Sequence, residues 1–349
     1  MIEFKTIESE STFLDPRKGF SPATVRFQVR VDPLTGRTCH FSHFGAIKPQ
    51  KLDLPAYLSP EIKGFCPFCG QHREKATPKF TPEIVPEGRL TRGEALLIPN
   101  LFPYDIHSGV VVMTDDHVVG LQDFTKDRLA DSFSLGIDFL RRIANADTSL
   151  PYHLMTWNYM PPSGGGLVHP HQQYFATAFP GNQFMDELAA SRRFYARHGQ
   201  NYWRTLIDRE TDDSKRYIGR TGRGHWLVPF TCLGMLGDIL CIFPDVFSIH
   251  DLSEEHIEGL VAGLEKVFRF YREAGVFSFN ASLSLGPANQ GYFNSCFRIV
   301  PRTFLNMRDF APDLNFFQAI LSEPICVVLP EDLCKDVKPY FEQGLEVGK

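Results

Sequence analysis

The chain has 349 residues, of which 43% are hydrophobic and 22% charged, and a formal net charge of -5. This is ordinary globular composition with room for two domains or one duplicated domain, and its mild acidity gives no electrostatic reason to expect nucleic acid or an anionic membrane as partner. No apolar run approaches the roughly 20 residues of a membrane helix, and Met1-Ile2-Glu3-Phe4-Lys5 lacks the build of a signal peptide, so a cytoplasmic protein with a small-molecule partner is expected.

From the N-terminus, residues 24–31 alternate with period two and predict a strand closed by the turn Asp32-Pro33-Leu34-Thr35-Gly36. His40 and His43 follow it and read as surface or structural. In Phe65-Cys66-Pro67-Phe68-Cys69-Gly70 the two thiols have metal-ligand spacing, although a CxxC alone is as often redox-active or inert. The other six cysteines are scattered among apolar residues and read as buried thiols. Ala95 to Ile98 predicts a strand ending near Asn100, and a second strand runs from Gly109 toward His117. The apolar spacing between Phe124 and Ala144 predicts an amphipathic helix. Tyr152 to Met160 then predicts a strand leading into Pro161-Pro162.

The next stretch carries the chemistry: Ser163-Gly164-Gly165-Gly166-Leu167-Val168-His169-Pro170-His171-Gln172-Gln173. Glycines let a backbone approach a phosphate closely and turn N–H groups toward it. If the following segment is extended, His169, His171 and Gln173 share one face and Val168, Gln172 and Tyr174 the other. A neutral imidazole is a competent nucleophile toward phosphorus, and a carboxamide beside it donates to a phosphoryl oxygen without changing charge. A carbonyl that holds the proton on one ring nitrogen would aim the other at a substrate. An incidental or metal-binding HxH is the alternative.

Beyond the active stretch, residues from Phe184 to about Arg209 predict a charged, solvated connecting helix, and Asp212 to Gly224 a flexible linker with arginines. The remainder repeats the first half in outline. Asp238 to Pro244 parallels the strand toward His117, Glu254 to Glu273 the helix, and Phe277 to Asn280 the strand ending in Asn158. Asn294 to Ile299 then takes the place of His169 to Tyr174, without histidines, and Arg298 there would meet a phosphate or form a surface salt bridge.

The glycine run with His-Pro-His-x-Gln resembles the active-site signature of the histidine-triad superfamily, in its galactose-1-phosphate uridylyltransferase branch. That resemblance implies an α+β fold of duplicated units, each an antiparallel sheet with a packed helix. The expected organisation is an N-terminal extension with a zinc knuckle (1–80), a first unit with the active site (81–183), a connecting helix and linker (184–224), a second, degenerate unit (225–305) and a C-terminal extension (306–349). It also implies His171 as nucleophile, Gln173 as the group holding the phosphoryl oxygens, and Asn100, Asn158, Ser163, Gly164, Gly165 and Gly166 as nucleotide contacts. Cys66, Cys69, His117 and His169 are implied as ligands of a structural zinc; because the second half lacks the paired histidines that some family members use for a second metal, no iron site is expected.

The implied activity is nucleotidyl transfer from a nucleotide sugar or dinucleotide, through a nucleotidyl-histidine, to phosphate or a sugar phosphate; a homodimer is allowed but not required. A histidine-triad hydrolase and an inactive nucleotide-binding zinc protein are the alternatives. Gln172 stands where the branch commonly has Gly, and Gly166 where a small polar residue often contacts the sugar phosphate. Both changes are expected to border the acceptor site, so galactose 1-phosphate is not assigned. A nucleotide-sugar phosphorylase or a diadenosine polyphosphate phosphorylase fits the same machinery.

Overall fold

The computed structural model describes residues 2–42, 53–288, 290–306 and 310–342, so His43 lies outside the described residues. The chain opens with a long hairpin of β1 (Lys5–Asp15) and β2 (Ser21–Val31), the latter containing the predicted strand, followed by β3 (Thr38–Phe41). Helices α1 (Pro60–Phe65) and α2 (Gly70–Ala76) flank the cysteine knuckle. Next come β4 (Leu90–Arg92), β5 (Ala95–Pro99), β6 (His107–Val112), α3 (Lys126–Ala146), β7 (Tyr152–Tyr159) and β8 (His171–Thr177). Helices α4 (Asn182–His198) and α5 (Tyr202–Asp213) lead to β9 (Tyr217–Thr221), β10 (Gly224–Leu227), β11 (Ile239–Ile242), α6 (Glu254–Glu273), β12 (Ser278–Leu285) and β13 (Cys296–Arg302). The chain closes with β14 (Phe304–Asn306), β15 (Ala311–Pro312), α7 (Phe316–Ala319), β16 (Ile325–Cys326) and α8 (Pro330–Glu342).

Strands β4 to β13 form one antiparallel sheet in the order β4-β5-β6-β8-β7-β12-β13-β11-β10-β9. The order is the same hairpin, third strand, last strand and helix-following strand from either end, so two α+β units meet back to back at β7 and β12. Their helices α3 and α6 lie in contact on one face, over a core that includes Phe133, Leu140, Trp157, Leu264, Phe268 and Phe279. The apolar periodicity of each helix supplies its buried stripe, and alternate residues of the strands supply the floor. Close approach depends on two glycines: a Cβ at Gly136 would sit 2.0 Å from the Tyr174 ring, and one at Gly263 2.0 Å from the Trp226 ring.

Two expectations are corrected here. Residues 217–224, read as linker, form the hairpin β9–β10 at the outer edge of the second unit, turning at Gly222 with its positive φ of 52°. Its glycines serve a tight turn rather than flexibility. Four strands separate the hairpin from β8, so its arginines do not close over the active stretch; Arg223 pairs with Asp245 and Glu255 instead. The connecting segment is two helices broken at Gly199, and it is not merely solvated. Leu188, Trp203, Leu206 and Ile207 bury themselves against Leu227, Leu240, Ile242 and Phe293 on the sheet face opposite α3 and α6. Helix α5 hides an apolar stripe that its charged residues mask in sequence. The six cysteines outside the knuckle are all buried, as expected.

His153 on β7 is buried with neither ring nitrogen hydrogen-bonded, and burial, with a smaller contribution from His250, lowers its pKa from 6.5 to about 4. The unfolded chain therefore takes up this proton near pH 6.5 and the folded chain only near pH 4. Stability is complete above the unfolded value and is lost as pH falls across that window, by about 3 kcal/mol in total. Urea unfolding of wild type and His153→Leu at roughly pH 7 and pH 4.5 checks this: the variant should lose distinctly less stability on acidification than wild type.

Candidate active site and metal centre

The active stretch runs from the end of β7, around the glycine loop, into β8. Gln172 and Tyr174 are fully buried toward α3, where the Tyr174 hydroxyl donates to Gln172 Oε1 at 2.8 Å. His171 and Gln173 therefore face the opposite side of the sheet, as the alternation requires. The strand begins only at His171, so His169 is not part of that row. It lies in the bend before Pro170, fully buried, and its ring belongs to the cysteine knuckle. Because Gln172 points into the core, its side chain does not border an acceptor site, which corrects the expectation drawn from its departure from Gly.

His171 Nδ1 donates to the backbone oxygen of His169 at 2.8 Å, which leaves Nε2 as the unprotonated nitrogen. Burial lowers the His171 pKa and the bond to His169 opposes this in part, so the ring is neutral at pH 7. The Phe68 ring from the knuckle lies 5.5 Å from the His171 ring, centroid to centroid. Asn100, just after β5, donates from Nδ2 to Gln173 Oε1 at 3.3 Å. With its oxygen engaged, Gln173 has its NH2 left for a ligand.

The loop supplies the rest. Gly164 has a φ of 86° that side-chain-bearing residues rarely adopt, and Gly164 and Gly166 are exposed with open space where a Cβ would stand. Gly165 packs on Asn158, whose Cβ would lie 3.3 Å from an added Cβ. Ser163 is buried and its hydroxyl accepts from Gly165 N, so its side chain shapes the loop. Asn158 Oδ1 accepts from Asn280 Nδ2 at 2.6 Å, and the same NH2 group donates to Ser163 O at 2.8 Å.

Sequence reasoning gives Asn280 no role at the loop, and its expected equivalence with Asn158 is out of register. In register, Thr156 faces Gln173 and Ser282 faces Arg298, so the second unit's counterpart of Asn158 is Ser284, and that of Asn280 is Leu154. Asn280 reaches Asn158 as its direct partner across the β7–β12 seam. No local pattern announces a contact between residues 122 positions apart. Arg298, expected to meet a phosphate or to form a surface salt bridge, forms ion pairs with Asp238 and Glu187 that are largely buried rather than on the surface.

The four residues implied as metal ligands come together. Cys66, Cys69, His117 and His169 place their donor atoms within 4.8 Å of one another. Sulfur–nitrogen separations are 3.6 Å (Cys66–His169), 3.2 Å (Cys69–His117) and 3.4 Å (Cys69–His169), all through Nδ1. Metal–ligand bonds of about 2.3 Å to sulfur and 2.0 Å to nitrogen give tetrahedral edges of about 3.5 Å, so the residues fit a zinc-sized ion. His169 Nε2 donates to Thr114 O at 2.9 Å, the outer bond that orients a ligating imidazole. Burial and the neighbouring Cys66 sulfur push the Cys69 thiol up to about 12, an environment that a cation between the sulfurs reverses. This cluster could hold a metal.

No family model matches the chain. An uncharacterized protein of Archaeoglobus fulgidus is 26% identical over 317 residues, 90% of this chain and 93% of that protein. An ADP-glucose phosphorylase from Arabidopsis thaliana, solved with bound ADP-glucose, superposes with a TM-score of 0.69 at 19% identity, covering 93% of this chain and all of that one. The fold is thus one also seen in an ADP-glucose phosphorylase and in uridylyltransferase. A structure of uridylyltransferase itself gives a TM-score of 0.63 at 20% identity, covering 91% of this chain and 99% of its own. Within that fold, the duplicated α+β arrangement expected from sequence is present, and no helix among the described residues is long and apolar enough to cross a membrane.

Proposed function

We propose that the chain is a nucleotidyltransferase acting by double displacement on a nucleotide sugar or a dinucleotide. The observation that carries this reading is His171, a neutral imidazole whose Nδ1 is pinned by the His169 carbonyl, which leaves the lone pair on Nε2. In the first half-reaction Nε2 attacks the α-phosphorus, a nitrogen–phosphorus bond forms, and the bond to the leaving group breaks, a sugar 1-phosphate from a nucleotide sugar or a nucleoside polyphosphate from a dinucleotide. In the second, an oxygen of inorganic phosphate or of a sugar 1-phosphate attacks the same phosphorus and frees the imidazole.

Charge building on the non-bridging oxygens would meet the NH2 groups of Gln173 and Asn158 and the N–H groups of the glycine loop, all held in place before substrate arrives. Among ligands for the knuckle, a structural zinc fits the donor set. Four protein ligands leave no open position, so it would fix the knuckle and the His169 backbone rather than activate water.

Mass spectrometry of the intact protein, incubated with ADP-glucose, UDP-glucose or a diadenosine polyphosphate without acceptor, tests the proposal. A nucleotidyl mass should appear on the peptide containing His171 and vanish when inorganic phosphate or a hexose 1-phosphate is added, with nucleoside diphosphate or nucleotide sugar as product. Steady release of nucleoside monophosphate in water alone would favour the hydrolase. Failure of every donor to label the protein would point to the inactive, nucleotide-binding alternative.

A further inference from the structure

Asn158 and Asn280 face each other directly across the seam between the two units, and nothing in an Asn–Asn pair by itself decides which amide donates. Arg302 decides it. Its guanidinium, which can only donate, gives Nη1 to Asn280 Oδ1 at 2.7 Å, so the NH2 of Asn280 must point the other way, to Asn158 Oδ1 and Ser163 O. Arg302 is in turn clamped by buried Asp313, through Nε at 2.9 Å and Nη2 at 2.7 Å. With its oxygen occupied, Asn158 can offer a ligand only its NH2 group.

The arrangement is one-sided. Strands β8 and β13 are each seven residues long, and the last position is Thr177 in the first and Arg302 in the second. The counterpart of the Asn158–Asn280 pair is Ser284 opposite Leu154, and Leu154 is packed in the apolar cluster under α4 and α5. The polar pair and the cation that orients it thus occur only at the end of the seam where the glycine loop lies. The β7–β8 ladder ends at Thr156 and Gln173, and Asn158 and His171 each lie two residues further along their strands at that same end.

We infer that the degenerate second unit is a working part of the site: Asn280, held by Arg302 and Asp313, is a positioning residue that turns the Asn158 amide so that it donates to the phosphoryl oxygens of a bound nucleotide. The inference deepens the nucleotidyl-transfer reading and rests on it for the ligand. Its test is nevertheless read on binding, while labelling of His171 judges that reading.

The experiment is a double-mutant cycle on the full chain, with Kd for the tightest of ADP, GDP, UDP and CDP measured by calorimetry. Asn158→Ala should weaken binding about tenfold, the scale of one hydrogen bond to a charged group. Asn280→Ala should weaken it by a similar factor, and the double variant no further than Asn158→Ala alone, because Asn280 acts through Asn158. Arg302→Lys, still only a donor, should bind near the wild-type level, whereas Arg302→Gln, which can present its own oxygen, should lose affinity. Thermal unfolding of each variant separates lost packing from lost orientation. Multiplicative effects of the two Asn variants, equal binding by Arg302→Lys and Arg302→Gln, or a wild type that binds none of the four nucleotides would overturn the inference, even if His171 were labelled.

Discussion

Replacing His171 with Asn is expected to abolish nucleotidyl transfer, by on the order of 10^4-fold or more, with no adduct on the protein and nucleotide binding held within a few-fold of wild type. The size follows from losing the atom that bonds to phosphorus, for which binding and electrostatic stabilisation substitute only weakly. Gln173→Ala, which removes an NH2 group and leaves the nucleophile, should lose less, about 10^2-fold, the range of one donor to a developing oxyanion. The wild-type rate has a characteristic acid limb. Burial lowers the His171 pKa below the ordinary imidazole value of 6.5, so the reactive neutral form persists at pH values where a free imidazole is largely protonated. A plot of kcat/KM against pH should therefore fall on its acid side below pH 6.5, and a limb lying well above that value would contradict the half-buried, neutral ring. Retention of adduct formation by His171→Asn would remove the basis of the proposed chemistry.

Removing the metal is expected to have the second large effect. The purified protein should carry one zinc per chain by elemental analysis, and chelation or Cys66→Ala should lower Tm on the order of 10 °C, since a structural site contributes several kcal/mol or more to folding. Activity should fall with it, for a structural reason. Phe68, between the two cysteines, packs against both the His169 and the His171 rings, and the His169 backbone oxygen holds His171 Nδ1. Releasing the His169 ring from the cluster loosens that carbonyl and with it the aim of the nucleophile. A metal-free preparation with unchanged Tm and full labelling of His171 would rule out this coupling.

Much of the site was legible in residue order because it is local. Two residues of strand alternation place His171 and Gln173 together and send Gln172 and Tyr174 into the core, and the glycines before them can serve only a loop. Cys66 and Cys69 have metal-ligand spacing in the bare sequence, while a site completed by His117 and His169 was implied only by resemblance to the family pattern; the structure brings all four donors together. The helices α3 and α6 follow from apolar periodicity, and α6 has the bounds Glu254–Glu273 read from the chain.

What residue order could not convey depends on partners distant along the chain. Hairpin β9–β10 passes for a linker because five-residue and four-residue strands rich in glycine gain their stability from β11, not from their own composition. Helix α5 looks solvated because its buried stripe is defined by the sheet face it covers. The direction in which Asn158 points is settled by Asn280, and the direction of Asn280 by the guanidinium of Arg302, residues brought beside the glycine loop only when the two units join at β7 and β12. Alternation and spacing act through neighbouring bonds and survive in the bare chain; the polarity of an amide is fixed by whatever donor lies across from it, and that donor is chosen by the fold.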